Sequence, residues 1–309
     1  MKRIVLLAVG VLTAMAVTAA PAGAGSGQVT AACWAGTASG FDSVAALTAP
    51  ASTARGTDIG REPTLNETYE SLPASANGKA NAKFKATVPT YFHVITDGDS
   101  GNVTDAQVRE QMDVLNLAFS GFYGGAKSGF RFDLQGITRT DNAAWFTAPA
   151  GTHPERAMKQ TLHQGGFETL NIYSNLAGGY LGYAYLPGLP DSRLFIDGIV
   201  LHWESIPGTS DRFEGRYDLG MTLVHEAGHW VNLEHTFYGG CNANGDYVED
   251  TPAMLVPTSR CPEGKDTCER KPGLDPIHNY MDYSDDRCYS EFTPGQVQRA
   301  QDSWLHFRA

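Results

Sequence analysis

Three histidines and one glutamate stand close together in the stretch 222–235: His225, Glu226, His229 and His235. His225 and His229 are four residues apart. On a helix they fall about 40° from alignment, one turn apart on a common face. Two imidazoles so stacked can grip one metal ion. Glu226 points off that line yet stays beside the metal, where a general base takes a proton from an activated water. His235 lies six positions past His229, about 240° around a continuing helix. It reaches the same metal only if the helix stops and the chain reverses near Asn232. Such a reversal needs a positive φ, and asparagine tolerates one best after glycine. The stretch therefore offers three neutral nitrogen ligands to one zinc ion and leaves the fourth position for water.

The elements that must position this stretch are legible in part. Residues 88–95 (VPTYFHVI) have a strand pattern, followed by a turn cluster at 97–101. Thr104 and Gln107 have capping-box spacing and open a helix with Val108, Met112, Leu115 and Phe119 on its apolar face. A second strand is expected over 130–137, a helix over 154–164, and strands over 169–174 and 197–203. This alternation predicts a mixed α/β sheet. The glycine-fenced aromatic run 178–187 reads as an edge strand against which an extended peptide can pair. The metal helix is expected to begin near Asp218, as its cap. Thr293 and Pro294 open a last helix with Val297, Ala300 and Trp304 inward. His93, His153, His163, His202, His278 and His306 have no partner at ligand spacing and read as packing or surface residues.

The chain has 309 residues, 42% hydrophobic and 18% charged, with a net charge of −11. That is ample for one large core. The acidic balance argues against nucleic acid as a partner. Residues 1–24 read as a secretory signal: Lys2 and Arg3, an apolar run from Ile4 to Ala20, and an Ala22-Gly23-Ala24 cleavage site. No second apolar run of membrane-spanning length follows, so no stable membrane anchor is expected. Residues 25–83, rich in Ala, Ser, Thr and Gly, read as a pro-segment or linker. Cys33 within it is either a latency thiol for the open zinc position or an incidental cysteine, free or lipid- or disulfide-linked. The catalytic domain is expected over 84–309, with a subdomain to about 235 and a smaller one over 236–309. Four cysteines of an exported chain cluster late, at 241, 261, 268 and 288, and three pairings are open. Asp246, Glu249, Asp250 and Thr251 offer hard oxygens that could bind calcium, or form a solvated acidic turn.

The long zinc motif, Tyr280-Met281-Asp282-Tyr283 and Phe292-Thr293-Pro294-Gly295-Gln296 together resemble the metzincin metalloproteases, and most closely the pappalysin (ulilysin-like) family. The resemblance covers residues 87–305. The family's motif glycine is Asn232 here. The likeness implies a zincin-type α/β (α+β) fold: a mixed twisted sheet with an antiparallel edge strand, an active-site helix, and an irregular, disulfide-pinned C-terminal subdomain. It implies Met281 as a hydrophobic floor under the zinc and Tyr283 flanking the metal as a donor to the oxyanion. It also implies the pairs Cys241–Cys268 and Cys261–Cys288, and it favours the latency reading of Cys33. The expected activity is that of a secreted zinc endopeptidase made as a zymogen, a monomer acting on proteins or peptides. Competing readings are a zinc exopeptidase or amidase, and a secreted module that keeps zinc structurally. Asp285 or Asp286 is expected to favour Lys or Arg in the substrate.

Overall fold

The computed structural model describes residues 80–210, 212–213, 216–242 and 245–309. The expected signal segment, Cys33 and residues 25–79 of the expected pro-segment lie outside them. The elements in chain order are β1 (Ala86–Thr96), α1 (Asp105–Phe119), β2 (Phe130–Asp141), α2 (Ala143–Phe146), α3 (His153–Leu162), β3 (Leu170–Asn175), β4 (Gly182–Ala184), β5 (Ile199–His202), α4 (Met221–Trp230) and α5 (Pro294–Phe307). The sheet runs β2-β1-β3-β5-β4. β1, β2, β3 and β5 are parallel, and β4 pairs antiparallel with β5 at the edge. This is the mixed sheet with an antiparallel edge strand that the sequence predicts.

The central strands bury both faces, as parallel strands covered by helices must. Phe92, Val94, Leu170, Ile172, Ile199 and Leu201 face one core, shared with α1, α4 and α5. Ile95, Tyr173, Tyr183, Tyr185 and Val200 face a second, with Met158 of α3. α1 opens on a capping box between Thr104 and Gln107, and α5 on one between Thr293 and Gln296. Each box satisfies backbone donors that the first turn leaves without partners.

All ten residues of α4 are buried, the polar Thr222, His225, Glu226 and His229 together with the apolar ones. Its start differs from expectation. Asp218 is not the cap. The N-cap is Gly220, with φ 86°, a left-handed geometry that glycine adopts freely. The first donors are met from far away: Leu219 N and Met221 N donate to Asp286 Oδ2 at 2.9 and 3.3 Å.

Residues 236–293 are mostly irregular and are closed by two disulfides, Cys241–Cys268 and Cys261–Cys288. Asn81 N donates to Gln301 Oε1 of α5 at 2.7 Å, so the folded unit takes in residues just ahead of position 84. Among the described residues, no helix is long and apolar enough to cross a membrane.

Candidate metal centre

α4 carries His225 and His229 on one face, and its end determines where the third histidine goes. Asn232 N donates to His229 O and Leu233 N to Gly228 O, the paired bonds of a Schellman stop. Asn232 sits at φ 81°, the left-handed residue that such a stop requires. The chain turns back there, and His235 faces the helix. His229 Nε2 lies 3.1 Å from His225 Nε2 and 3.1 Å from His235 Nε2. A tetrahedral zinc with Zn–N bonds of the usual length has N–N edges of about 3.3 Å. The three rings therefore fit such an ion.

The outer nitrogens support this fit. His225 Nδ1 is 2.6 Å from Tyr280 O, and His229 Nδ1 is 2.7 Å from Leu233 O. A carbonyl only accepts, so each Nδ1 carries the proton and each Nε2 turns a lone pair inward. Burial also pushes His225 down to about 4, which keeps it in the neutral, ligating form. Among the described residues one other group has ligand-like spacing: Cys261, Glu263 and His278. Its sulfur is spent in the disulfide with Cys288, which leaves two donors.

Glu226 is buried beside the three rings. Its Oε2 has no hydrogen-bond partner among the described residues. Burial raises its pKa well above the ordinary carboxylate value. A buried carboxyl oxygen without a protein partner is costly, and is retained where a reactant or water supplies the partner. β4 crosses directly over it. A Cβ added to Gly182 would stand 2.9 Å from Glu226 Cγ, so the edge strand can approach this closely only as glycine.

Met281 is fully buried under the helix, against Gly228. A Cβ at Gly228 would overlap the Met281 sulfur. Gly228→Ala should therefore cost about 1–3 kcal/mol, the range for overpacking, and weaken metal retention. Thermal unfolding with and without chelator measures both. An unchanged melting temperature in both states would mean that Met281 moves aside freely.

Tyr283 Oη lies 3.0 Å from His235 Nε2. Phe237 stacks on the His235 ring, with centroids 4.6 Å apart and planes 10° apart, and fixes its tilt. Sequence reasoning missed Phe237, because no spacing rule marks an aromatic two residues past a ligand.

Two expectations change. Asp285 and Asp286 are not available to a substrate's Lys or Arg. Asp285 is buried and paired with Arg216 and Arg287 at 3.2 and 3.3 Å, and Asp286 holds the start of α4. The oxygens of Asp246, Glu249, Asp250 and Thr251 are not gathered into one cage either. Asp246 accepts from Thr251 Oγ1 and Val248 N, Asp250 accepts from Thr293 Oγ1 and Gly295 N of α5, and Glu249 is exposed.

The M43 peptidase family model, described as pregnancy-associated plasma protein-A, matches residues 213–304. An extracellular metalloprotease of Pyricularia oryzae is 46% identical over 243 residues, 76% of this chain and 81% of the relative. One from Neurospora crassa is 42% identical over 242 residues, 76% and 80% of the two chains. Among solved structures, mirolysin in complex with compound 9 superposes with a TM-score of 0.63 at 28% identity, covering 71% of this chain and 92% of that one. Mature mirolysin of Tannerella forsythia with a cleaved peptide gives a TM-score of 0.60 at 28% identity, covering 71% and 91%. With the histidine triad, the glutamate beside it and the sheet edge above them, these likenesses agree on one conclusion: the chain belongs to the M43 (pappalysin) family of metalloproteases.

Proposed function

We propose that this protein is a secreted zinc endopeptidase, made as a zymogen and active as a domain spanning about residues 84–309. The observation that carries the reading is the pairing of three inward imidazole nitrogens with the buried Glu226 carboxyl, whose Oε2 has no hydrogen-bond partner among the described residues, beneath the sheet edge. His225, His229 and His235 would hold a zinc ion, which would supply a Lewis acid toward the scissile carbonyl and toward water.

The chain's own residues do the rest. Glu226 accepts the proton of the attacking water and returns it to the leaving amine. Tyr283 donates its phenolic hydrogen to the developing oxyanion. The backbone of β4, at the sheet edge, pairs antiparallel with an extended substrate and sets the peptide bond over Glu226. Gly182 keeps that approach free of a side chain. Met281 packs beneath the imidazoles and keeps water from below. A module holding zinc only structurally would need a fourth protein ligand; among the described residues no further His, Cys, Asp or Glu joins the triad.

The zymogen part draws on Cys33 and on a likeness to a protein titled promirolysin, at 27% identity and a TM-score of 0.62. The deciding experiment uses a peptide acetylated at its N-terminus and amidated at its C-terminus. The purified protein should cut it internally, lose that activity in chelator, and regain it with zinc. Release of terminal residues alone from unblocked peptides would replace the endopeptidase reading with an exopeptidase.

A further inference from the structure

His235 is not held by the regularity of a helix. Its position depends on the reversal at 231–233, where the hydrogen-bond ladder of α4 ends and carbonyls lose their partners. Two of those carbonyls are met from the far end of the chain. Arg299 Nε, on α5, donates to Asn232 O at 2.8 Å. Arg308 Nε, just past α5, donates to Trp230 O at 3.0 Å. Both guanidinium groups are almost completely buried. Arg308 is held in turn by Asp197, at 2.8 and 3.2 Å, and its guanidinium lies 3.7 Å over the Trp230 ring. Arg299 has its guanidinium 5.3 Å from the Tyr247 ring centre.

A buried arginine is an expensive cap for a carbonyl that water or a lysine could satisfy at the surface. What it offers here is rigidity. The planar group fixes the direction of the carbonyl it meets. Asn232 pays conformational strain at φ 81°, which a glycine would not. The two Schellman bonds close this turn from within, and the Arg299 bond holds the peptide plane after Asn232 from outside it. The Asn232 carbonyl is that plane's handle, and three residues later comes His235.

We propose that Arg299 is a positioning residue for the metal site: by gripping the Asn232 carbonyl it aims the His235 imidazole, with Arg308 steadying the helix end two residues earlier. The inference rests on His225, His229 and His235 being the metal ligands. Cobalt(II) is the probe, because its visible absorption reports the geometry of the three nitrogens independently of turnover. Wild type, Arg299→Lys, Arg299→Met and Asn232→Gly are loaded with cobalt. Spectra are recorded, and the dissociation constant is measured by chelator competition.

Loss of an outer-shell partner typically weakens metal binding about 10–100-fold. Arg299→Met should fall in that range with altered cobalt bands. Arg299→Lys, which keeps one donor, should fall between it and wild type. Asn232→Gly keeps the carbonyl and the turn, and should stay within about twofold of wild type. Folding is checked by circular dichroism of the metal-free forms. If Arg299→Met does not fold, Arg299→Lys decides alone, with an expected loss of about three- to tenfold. A folded Arg299 variant with wild-type spectrum and affinity overturns the proposal. Wild type that takes up no cobalt would instead remove the metal reading itself, and the proposal with it.

Discussion

Glu226→Gln should lower kcat by about two to four orders of magnitude while the protein keeps its zinc. Glutamine preserves the volume and the shape that β4 packs over, so the three imidazoles do not move. What is lost is the acceptor for the water's proton. The side chain is buried and its Oε2 has no hydrogen-bond partner among the described residues, so the folded state carries a carboxyl oxygen that those residues do not satisfy. A neutral amide there is less costly to bury than an ionised carboxylate, and the variant should melt at the same temperature as wild type or higher. Steady-state cleavage of the blocked peptide, zinc content by atomic emission and a melting curve give the three numbers. Activity within tenfold of wild type would take the proton-transfer role away from Glu226.

The second large effect is on stability. Lys159 and Glu155, one turn apart on α3, form a pair at 3.1 Å with both side chains wholly buried. Glu155 also accepts from Tyr185 Oη and from Gly151 N, and Lys159 donates to Ile196 O. The ammonium lies 4.0 Å from the Tyr185 ring centre. Lys159→Met leaves an uncompensated carboxylate in the second core. Breaking a buried pair this way costs about 3–5 kcal/mol. For a domain of this size that is a fall in melting temperature of about 10 °C. Adding Glu155→Leu should recover much of the loss, since an apolar pair of similar volume need not be worse than an ionic one. A double variant as unstable as the single would mean that the cost lies in packing rather than in charge.

These two predictions also mark where the sequence was readable. The triad was legible because its spacing is local. His225 and His229 share a helix face, and Asn232 is the one residue before His235 suited to a left-handed turn. The capping box of α1 and the Thr293 cap of α5 were legible for the same reason, since each cap lies next to the turn it closes, while the Gln296 half of the second box emerges only in the structure. The alternation of strand and helix patterns gave the sheet, and the glycine-rich run gave its edge.

The failures are all long-range. Asp218 looks like a cap for α4, yet the positive φ of Gly220 intervenes and Asp286 takes the donors from the other end of the domain. The same bond takes up Asp286, and Arg216 and Arg287 take up Asp285, so the acidic pair after Met281 is engaged within the fold. Glu155 and Lys159 have the spacing of an ordinary surface ion pair. Nothing near them in sequence announces that tyrosines from β3 and β4 will close over them. Nothing local to Arg299, on α5, or to Arg308, just past it, announces that the fold brings them against the end of α4.

One hook between distant segments has a further meaning for how the protein can be cut. Every imidazole of the triad lies at or before residue 235, so a fragment ending there carries the full donor set. It would still lack the carboxylate that fastens the first turn of α4 and the Tyr280 carbonyl that orients His225. The second half is thus no appendage. A proteolytic nick between Cys241 and residue 279, which at least one of the two disulfides bridges, should be survivable, whereas release of the stretch beyond it dismantles the centre from both ends at once.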